Sequence, residues 1–451
     1  MDFKQKLARR SSPARRRPTA VEPVQPPPNV DTKTRLAWLR SRLEAISGPS
    51  KPPKVRVRRR VRVEPFGLPG RSTMTDHGRL HVIEETLPPD HCHGSAPVAA
   101  ALAARGETVA QLALDPSLES VDPSRLLFFD TETTGLSGGT GTLAFVIGLA
   151  WFDEGALRVE QLLLTRPGDE EPMLRRLAER LESASALVSY NGKSFDWPLV
   201  RTRFVLGQIP MPESPPHLDL LHCVRRVYKH RLRSFRLAEV EHEVLGMRRV
   251  GDVDGSEIPT LYWDFLRNGD GYALEPIVEH NANDVIGLAA LLGVLACGFQ
   301  AEVPSGDPRT CFGYAKIFER NKATDRAVAF ARAASDGPDV AVEALRFTSA
   351  LERRRGNPTA AVSALLSALR DAVDGSETAA IHVGLAKLYE HRCRDPARAL
   401  EHALQTAAAE GTASQQKRIA RLERRLQRLA EAAAKKKRRA PKKRSVKRRR
   451  T

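Results

Sequence analysis

Two acids, Asp130 and Glu132, stand two residues apart at the end of the apolar run Leu126–Phe129. On a β-strand, residues i and i+2 project from one face, so this spacing aims two carboxylates at one point. Buried like charges repel each other and are costly unless a cation neutralises them. A hard divalent ion, Mg²⁺ or Mn²⁺, held by oxygen ligands is the economical solution. A solvated Asp-x-Glu before a flexible turn is the plain alternative for this stretch alone. The following TTGLSGGTG supplies small residues that let another backbone approach closely.

Further acids lie downstream. VSYNGKSFDWPLV places Asp196 just beyond a strand end, where Asn191-Gly192 turns the chain and Pro198 suits the first turn of a helix. EPIVEHNANDVIGLAALL puts Asp284 at the start of an apolar helix, with His280 one turn earlier on the same face. Any one of these acids could be only a helix cap; their succession points to a shared site. His217, Asp219 and His222 read as helix capping and packing, and Asp252, Asp254 and Gly255 as a turn. His91, Cys92 and His93 crowd together, but adjacent residues rarely converge on one ion.

The elements that must position these residues begin near residue 122. Apolar runs predict strands at 126–131, 143–152 and 157–165, a helix at 170–184 and a strand at 186–190. Helices are expected near 195–207, 217–229, 234–245 and 273–298. Hairpin-linked strands followed by helix–strand alternation indicate an α/β fold, a mixed sheet flanked by helices. Beyond 308 alanine-rich helices take over. TDRAVAFARAA, NPTAAVSALLSAL and DPARALEHALQTA resemble one another, and aligning Ala327, Ala361 and Ala399 gives periods of 34 and 38 residues. The first is the tetratricopeptide period of ~34 residues; an ordinary helical bundle is the alternative.

The formal net charge of +18 is concentrated at the ends. Residues 1–63 carry 18 Lys/Arg and 4 Asp/Glu, and 435–451 carry 12 basic residues and no acid, which leaves the middle at −8. Basic arms on an acidic body suit a polyanion such as nucleic acid, or serve only as solubilising tails. Five cysteines without C-x-x-C spacing argue for a reducing, cytoplasmic setting without disulfides or zinc. No signal-peptide pattern is visible, and the longest apolar run, Val285–Phe299, is shorter than the ~18 residues of a membrane span. The organisation expected is a basic arm (1–63) with a short helix near 31–46 and a Val/Arg edge strand or extended stretch at 54–63, then an N-terminal extension (64–121) and the acid-bearing domain (122–300). Helical repeats (308–412), a charged helix (413–434) and a disordered basic tail (435–451) complete it.

The order Asp130/Glu132, Asn191-x-x-x-Phe195-Asp196, His280-x-x-x-Asp284 resembles the three exonuclease motifs of the DEDD superfamily, which has the ribonuclease H-like fold. FFDTETTGLSGGTGTLAFVIGL, YNGKSFDWPLV, HLDLLH and HNANDVIGLAAL together resemble the YprB-like family, whose members often carry C-terminal tetratricopeptide repeats. The resemblance covers roughly residues 122–298 and implies a nuclease, a 3′→5′ exonuclease, using two divalent cations, Mg²⁺ or Mn²⁺. It implies Asp130, Glu132, Asp196 and Asp284 as metal ligands; His280, one turn before Asp284, stands either as general base or as a hydrogen-bonding support of Asp284, and Thr133, Asn191 and Lys193, beside the motifs, are expected to touch nucleic acid. In the superfamily's two main branches a tyrosine stands four residues before the last Asp, or a histidine five before; here a histidine takes the tyrosine spacing. The competing function is a non-catalytic nucleic-acid-binding scaffold that recruits a protein partner through its helical repeats.

Overall fold

The computed structural model describes residues 65–135 and 141–439. The disorder expected at 1–30, the helix at 31–46 and the basic strand at 54–63 lie outside the described residues, as do residues 136–140; of the tail expected to be disordered from 435, residues 435–439 are helical instead and the rest lies outside. The strands are β1 (Arg71–Thr75), β2 (Gly78–Leu87), β3 (Cys92–His93), β4 (Ala96–Pro97), β5 (Leu126–Thr133), β6 (Ala144–Asp153), β7 (Ala156–Leu163), β8 (Ala186–Ser189) and β9 (His217–Asp219). Seven form one sheet in the order β1-β2-β7-β6-β5-β8-β9, and β3-β4 is a separate short hairpin. β5 pairs antiparallel with β6 and parallel with β8, which pairs parallel with β9. The mixed sheet is the one expected, but longer.

Between residues 64 and 125 the sequence periodicity predicts no strand. The β1–β2 hairpin nevertheless extends the sheet, β2 pairing with β7 from His81↔Leu163 to Leu87↔Leu157. In GRLHVIEETL only Val82 and Leu87 are buried apolar residues, too few to show a strand period.

The helices around the sheet are α1 (Gly106–Ala113), α2 (Glu170–Ser183), α3 (Asp196–Leu206), α4 (Leu220–Tyr228), α5 (Leu237–Val240, continued by a π-turn Glu241–Leu245), α6 (Ile258–Asn268) and α7 (Glu275–Gln300). Three of these correct the expectations, the first being α1, in a stretch where no helix was expected. The helix foreseen at 217–229 begins as strand β9, since His217–Asp219 pairs with Leu187–Ser189. Helix α6, unforeseen, buries Ile258, Tyr262 and Phe265, with Tyr262 stacked on Phe145 at 4.0 Å.

The strand period explains how one strand serves two cores. Leu126 and Phe128 face the core that contains α7, whereas Leu127 and Phe129 face the core that contains α3. Helix α7 has the length and apolarity of a membrane span, but most of that stretch is buried in the first core. The same core continues into the helices that follow, with Phe299 stacked on Phe318 at 4.3 Å. A separate, smaller core gathers residues between Ala361 and Leu422. The three similar segments lie on helices Thr324–Ala334, Pro358–Asp371 and Pro396–Ala403, and Ala327, Ala361 and Ala399 are each fully buried. The charged segment near 413–434 lies within helix Thr412–Arg439.

Candidate active site

Asp130 and Glu132 share the parity of Leu126 and Phe128, so both acids face α7. Asp130 lies opposite Gly148 of β6. Over that glycine comes Asn281 of α7, whose Nδ2 donates to Asp130 Oδ2 at 2.9 Å while its Oδ1 accepts from Gln161 Nε2 at 2.9 Å. A Cβ at position 148 would stand 2.2 Å from Asn281 Oδ1, so only glycine lets α7 come this close. Thr131, of opposite parity, reaches to the other side of the sheet and donates its hydroxyl to Asp196 Oδ1. Asp196 opens α3, and the next residue, Trp197, packs edge-on against Phe129 at 6.2 Å. The strand thus delivers acids from one face and grips the third acid from the other.

The loop between β8 and α3 is fixed from below. Asn191 adopts φ +65°, a left-handed conformation that Asn tolerates better than most residues. Buried Asp219 accepts the backbone N–H of Asn191 at 2.8 Å, of Lys193 at 3.3 Å and of Leu221 at 3.1 Å. It therefore caps α4, as its position suggested, and also holds the second motif. His217 lies 2.7 Å from Ser189 Oγ through Nε2. Burial, then the nearby Lys193, push its pKa down to about 4, so it is neutral at pH 7.

Asp284 and His280 stand one turn apart on α7. With Glu132 they present one donor atom each, all within 4.8 Å of one another. His280 Nε2 is 3.8 Å from Glu132 Oε1 and 3.6 Å from Asp284 Oδ2, while its Nδ1 is 2.7 Å from Asp252 Oδ1. Asp254 makes the expected turn, accepting from the Ser256 N–H at 2.8 Å. Asp252 does not; it belongs to the site, and the turn reading is corrected there.

Arg249 was not foreseen at all. Only 6% exposed, it donates to Asp284 Oδ1 at 2.5 Å and to Glu241 Oε2 at 2.7 Å, with Asp252 at 3.5 Å. Glu241 is fully buried in the π-turn, and its other oxygen lies 2.9 Å from His93 Nε2. A Cβ at Gly287 of α7 would stand 2.1 Å from Glu241 Oε1. Nothing in local spacing links His93, Glu241 and Arg249 to residue 284. The available signals were Gly148 inside an apolar strand and Gly287 inside an apolar helix, each marking a close approach.

Burial pushes the Asp130 carboxyl well above its ordinary range, and repulsion from Asp284, Asp196 and Glu132 adds to it against the Asn281 hydrogen bond. Glu132 is raised likewise by burial, then Asp284, Asp196 and Asp252, with Arg249 opposing. Burial also raises Asp196 against the Thr131 bond, and Asp284 against Arg249 and His280. These acids lack sufficient counter-charge, yet Glu132 and Asp284 keep 12% and 14% of their side-chain surface exposed, open to a small ion. Four carboxylates and an imidazole, with no sulfur donor among them, fit a hard divalent cation. Of the residues expected to touch nucleic acid, Thr133 donates to Gly135 O at 3.0 Å, Asn191 forms the turn, and Lys193 lies 3.6 Å from Asp115. Thr133 ends β5, which carries Asp130 and Glu132, and Asn191 and Lys193 sit in the loop that leads into α3 and Asp196.

The profile of the RNase_H superfamily matches residues 127–296, a span that holds all four acids and His280. The uncharacterized protein YprB of Bacillus subtilis (strain 168) is 32% identical over 317 residues, 68% of this chain and 76% of that protein. Sheet, acid-bearing segments and sequence agree: the chain belongs to the YprB-like family of the RNase_H superfamily.

Proposed function

We propose that the protein is a divalent-metal-dependent nuclease that hydrolyses phosphodiester bonds of DNA or RNA, acting as a 3′→5′ exonuclease. The observation that carries the reading is the convergence of Asp130, Glu132, Asp196 and Asp284, from three separate segments, with every carboxyl raised above its ordinary range. Strongly perturbed acids gathered in an accessible site are the mark of function rather than of stability. The exonucleolytic mode and the direction rest on the family resemblance.

The four acids would hold two Mg²⁺ or Mn²⁺ ions, whose charge they match. Such ions, when bound, supply activation of a water and stabilisation of a leaving oxygen. His280 handles the proton. A carboxylate oxygen of Asp252 accepts from His280 Nδ1, 2.7 Å away. That tautomer leaves the Nε2 lone pair facing Glu132 and Asp284, where it can take a proton from the attacking water. Asn281 and Thr131 hold Asp130 and Asp196 in place. The helices beyond 308 would present a tetratricopeptide-type surface to a protein partner, a reading supported by the three similar helices.

The test is incubation of the purified full chain with end-labelled single- and double-stranded DNA and RNA, in Mn²⁺, Mg²⁺ or EDTA. Metal-dependent shortening from the 3′ end, abolished by EDTA and by Asp130→Asn, is the expected outcome. Intact substrates under every metal condition would overturn it and favour the non-catalytic scaffold.

A further inference from the structure

Between Leu220 and Ala238 the chain carries six Lys/Arg and no Asp/Glu, inside a middle region that is otherwise acidic. Two of the six serve the fold. Arg226 donates to Leu112 O at 3.4 Å, and Arg231 donates to Glu243 O and lies 3.8 Å from Asp307. Arg225, Arg233 and Arg236 do neither: their exposed side chains have no hydrogen bond or ion pair with any described residue. All three line one open pocket of about 500 Å³, together with Tyr190, Asn191 and Phe235.

The place of this pocket in the fold gives it meaning. β5, β8 and β9 run parallel, and ligands of such sheets bind beyond the carboxyl ends of the strands. Asp130 and Glu132 lie toward that end of β5; Tyr190 and Asn191 follow the same end of β8, the adjacent strand, roughly 5 Å along the sheet. The pocket wall is also tied to the strand end, because Tyr190 Oη donates to Phe235 O at 2.7 Å. Unpaired guanidiniums around an open pocket match phosphate in charge and in their forked geometry.

We propose that this arginine pocket binds the phosphodiester backbone of the nucleic-acid strand whose end lies at the acid cluster. The proposal rests on the nucleic-acid reading of that cluster but not on its catalysis. Arg225, Arg233 and Arg236 hold the strand by charge, independently of base sequence.

The test compares the full chain with the triple variant Arg225→Gln, Arg233→Gln, Arg236→Gln. Binding of fluorescein-labelled single-stranded DNA and RNA is measured in EDTA across a salt series. Loss of three phosphate contacts flattens the plot of log K against log salt by about 2 to 3. Hydrolysis of bis(p-nitrophenyl) phosphate, which is too small to span the pocket, stays at the wild-type rate. A control triple, Arg353→Gln, Arg392→Gln, Arg394→Gln, removes the same charge from exposed positions in the C-terminal helical region and keeps the wild-type slope. An unchanged slope in the pocket variant, or equal flattening in both triples, overturns the proposal. A wild-type protein that binds with the full slope but hydrolyses nothing would sink the nuclease reading and leave the pocket standing.

Discussion

Two strands of the same sheet each bury acidic side chains, and the sheet treats them in opposite ways. Glu160 of β7, with 1% of its side chain exposed, is clamped by Arg176 Nη2 at 2.8 Å and Arg180 Nε at 3.0 Å. Arg180 in turn lies 3.6 Å above the Trp151 ring. Burial pushes the Glu160 carboxyl up, but the two guanidiniums outweigh it and leave the group below its ordinary value. On β5, Asp130 and Glu132 face three more acids, Asp196, Asp252 and Asp284, and one arginine, Arg249, and their carboxyls are pushed up. A buried acid given two cations is part of the framework. Buried acids given less than their due charge, at a place that solvent still reaches, are what the proposed metal site requires.

The largest effects should separate the clusters by kind. Asp130→Asn, Glu132→Gln, Asp196→Asn and Asp284→Asn should each lower metal-dependent cleavage by about 10³-fold, since each removes several kcal/mol of transition-state stabilisation. In EDTA the same variants should melt at or above the wild-type temperature, because repulsion is relieved. Glu160→Gln should do the reverse. It keeps activity but loses about 2 kcal/mol in urea denaturation, less than for a fully buried pair because both arginines retain solvent. Two amide variants with near wild-type cleavage would break the contrast.

The next effect probes His280. At saturating metal, His280→Gln should lower the rate by about 10²-fold. Asp252→Asn, which only orients the imidazole, should cost about tenfold. Full rescue of His280→Gln by excess Mn²⁺ would reduce the histidine to a support for Asp284.

Arg249 sharpens the comparison, being the cation of the active cluster that most resembles the Glu160 clamp. Arg249→Gln leaves buried Glu241 with His93 alone and should destabilise the metal-free protein by about 3 kcal/mol. It should also enlarge the rise in melting temperature on adding Mn²⁺, since Asp284 then meets the ion without a competing charge. A smaller rise than in wild type would show that Arg249 assists metal binding.

The smallest effect is one of slope. The four acids of the site have folded pKa values above their unfolded ones, so the folded state keeps protons that the unfolded chain gives up first. Their contribution to stability therefore falls as pH rises from about 4 through the raised folded values. For Glu160 the sign reverses: its contribution is present above the unfolded value and is lost as pH falls through the lowered one. Urea titrations in EDTA at several pH values should show a shallower loss with rising pH in Asp130→Asn than in wild type. Identical slopes would mean that Asp130 is not raised.

What the sequence alone determined follows from local geometry. A strand repeats every two residues and a helix nearly every four, so Asp130 with Glu132, and His280 with Asp284, were bound to share faces wherever they ended up. The apolar run Leu126–Phe129 marked a strand buried on both sides, and both cores claim it. The sequence could not show what crosses between distant segments. That Asn281 meets Asp130, that Asp252 orients His280 and that Arg249 joins Glu241 to Asp284 depends on how α7, the 246–254 loop and the N-terminal extension pack together. No local period encodes such meetings. The same holds for the β1–β2 hairpin, whose few buried apolar residues make it a strand only because β7 offers an open edge. Tertiary packing decides these contacts because burial and charge compensation belong to the assembled whole, while periodicity belongs to the chain.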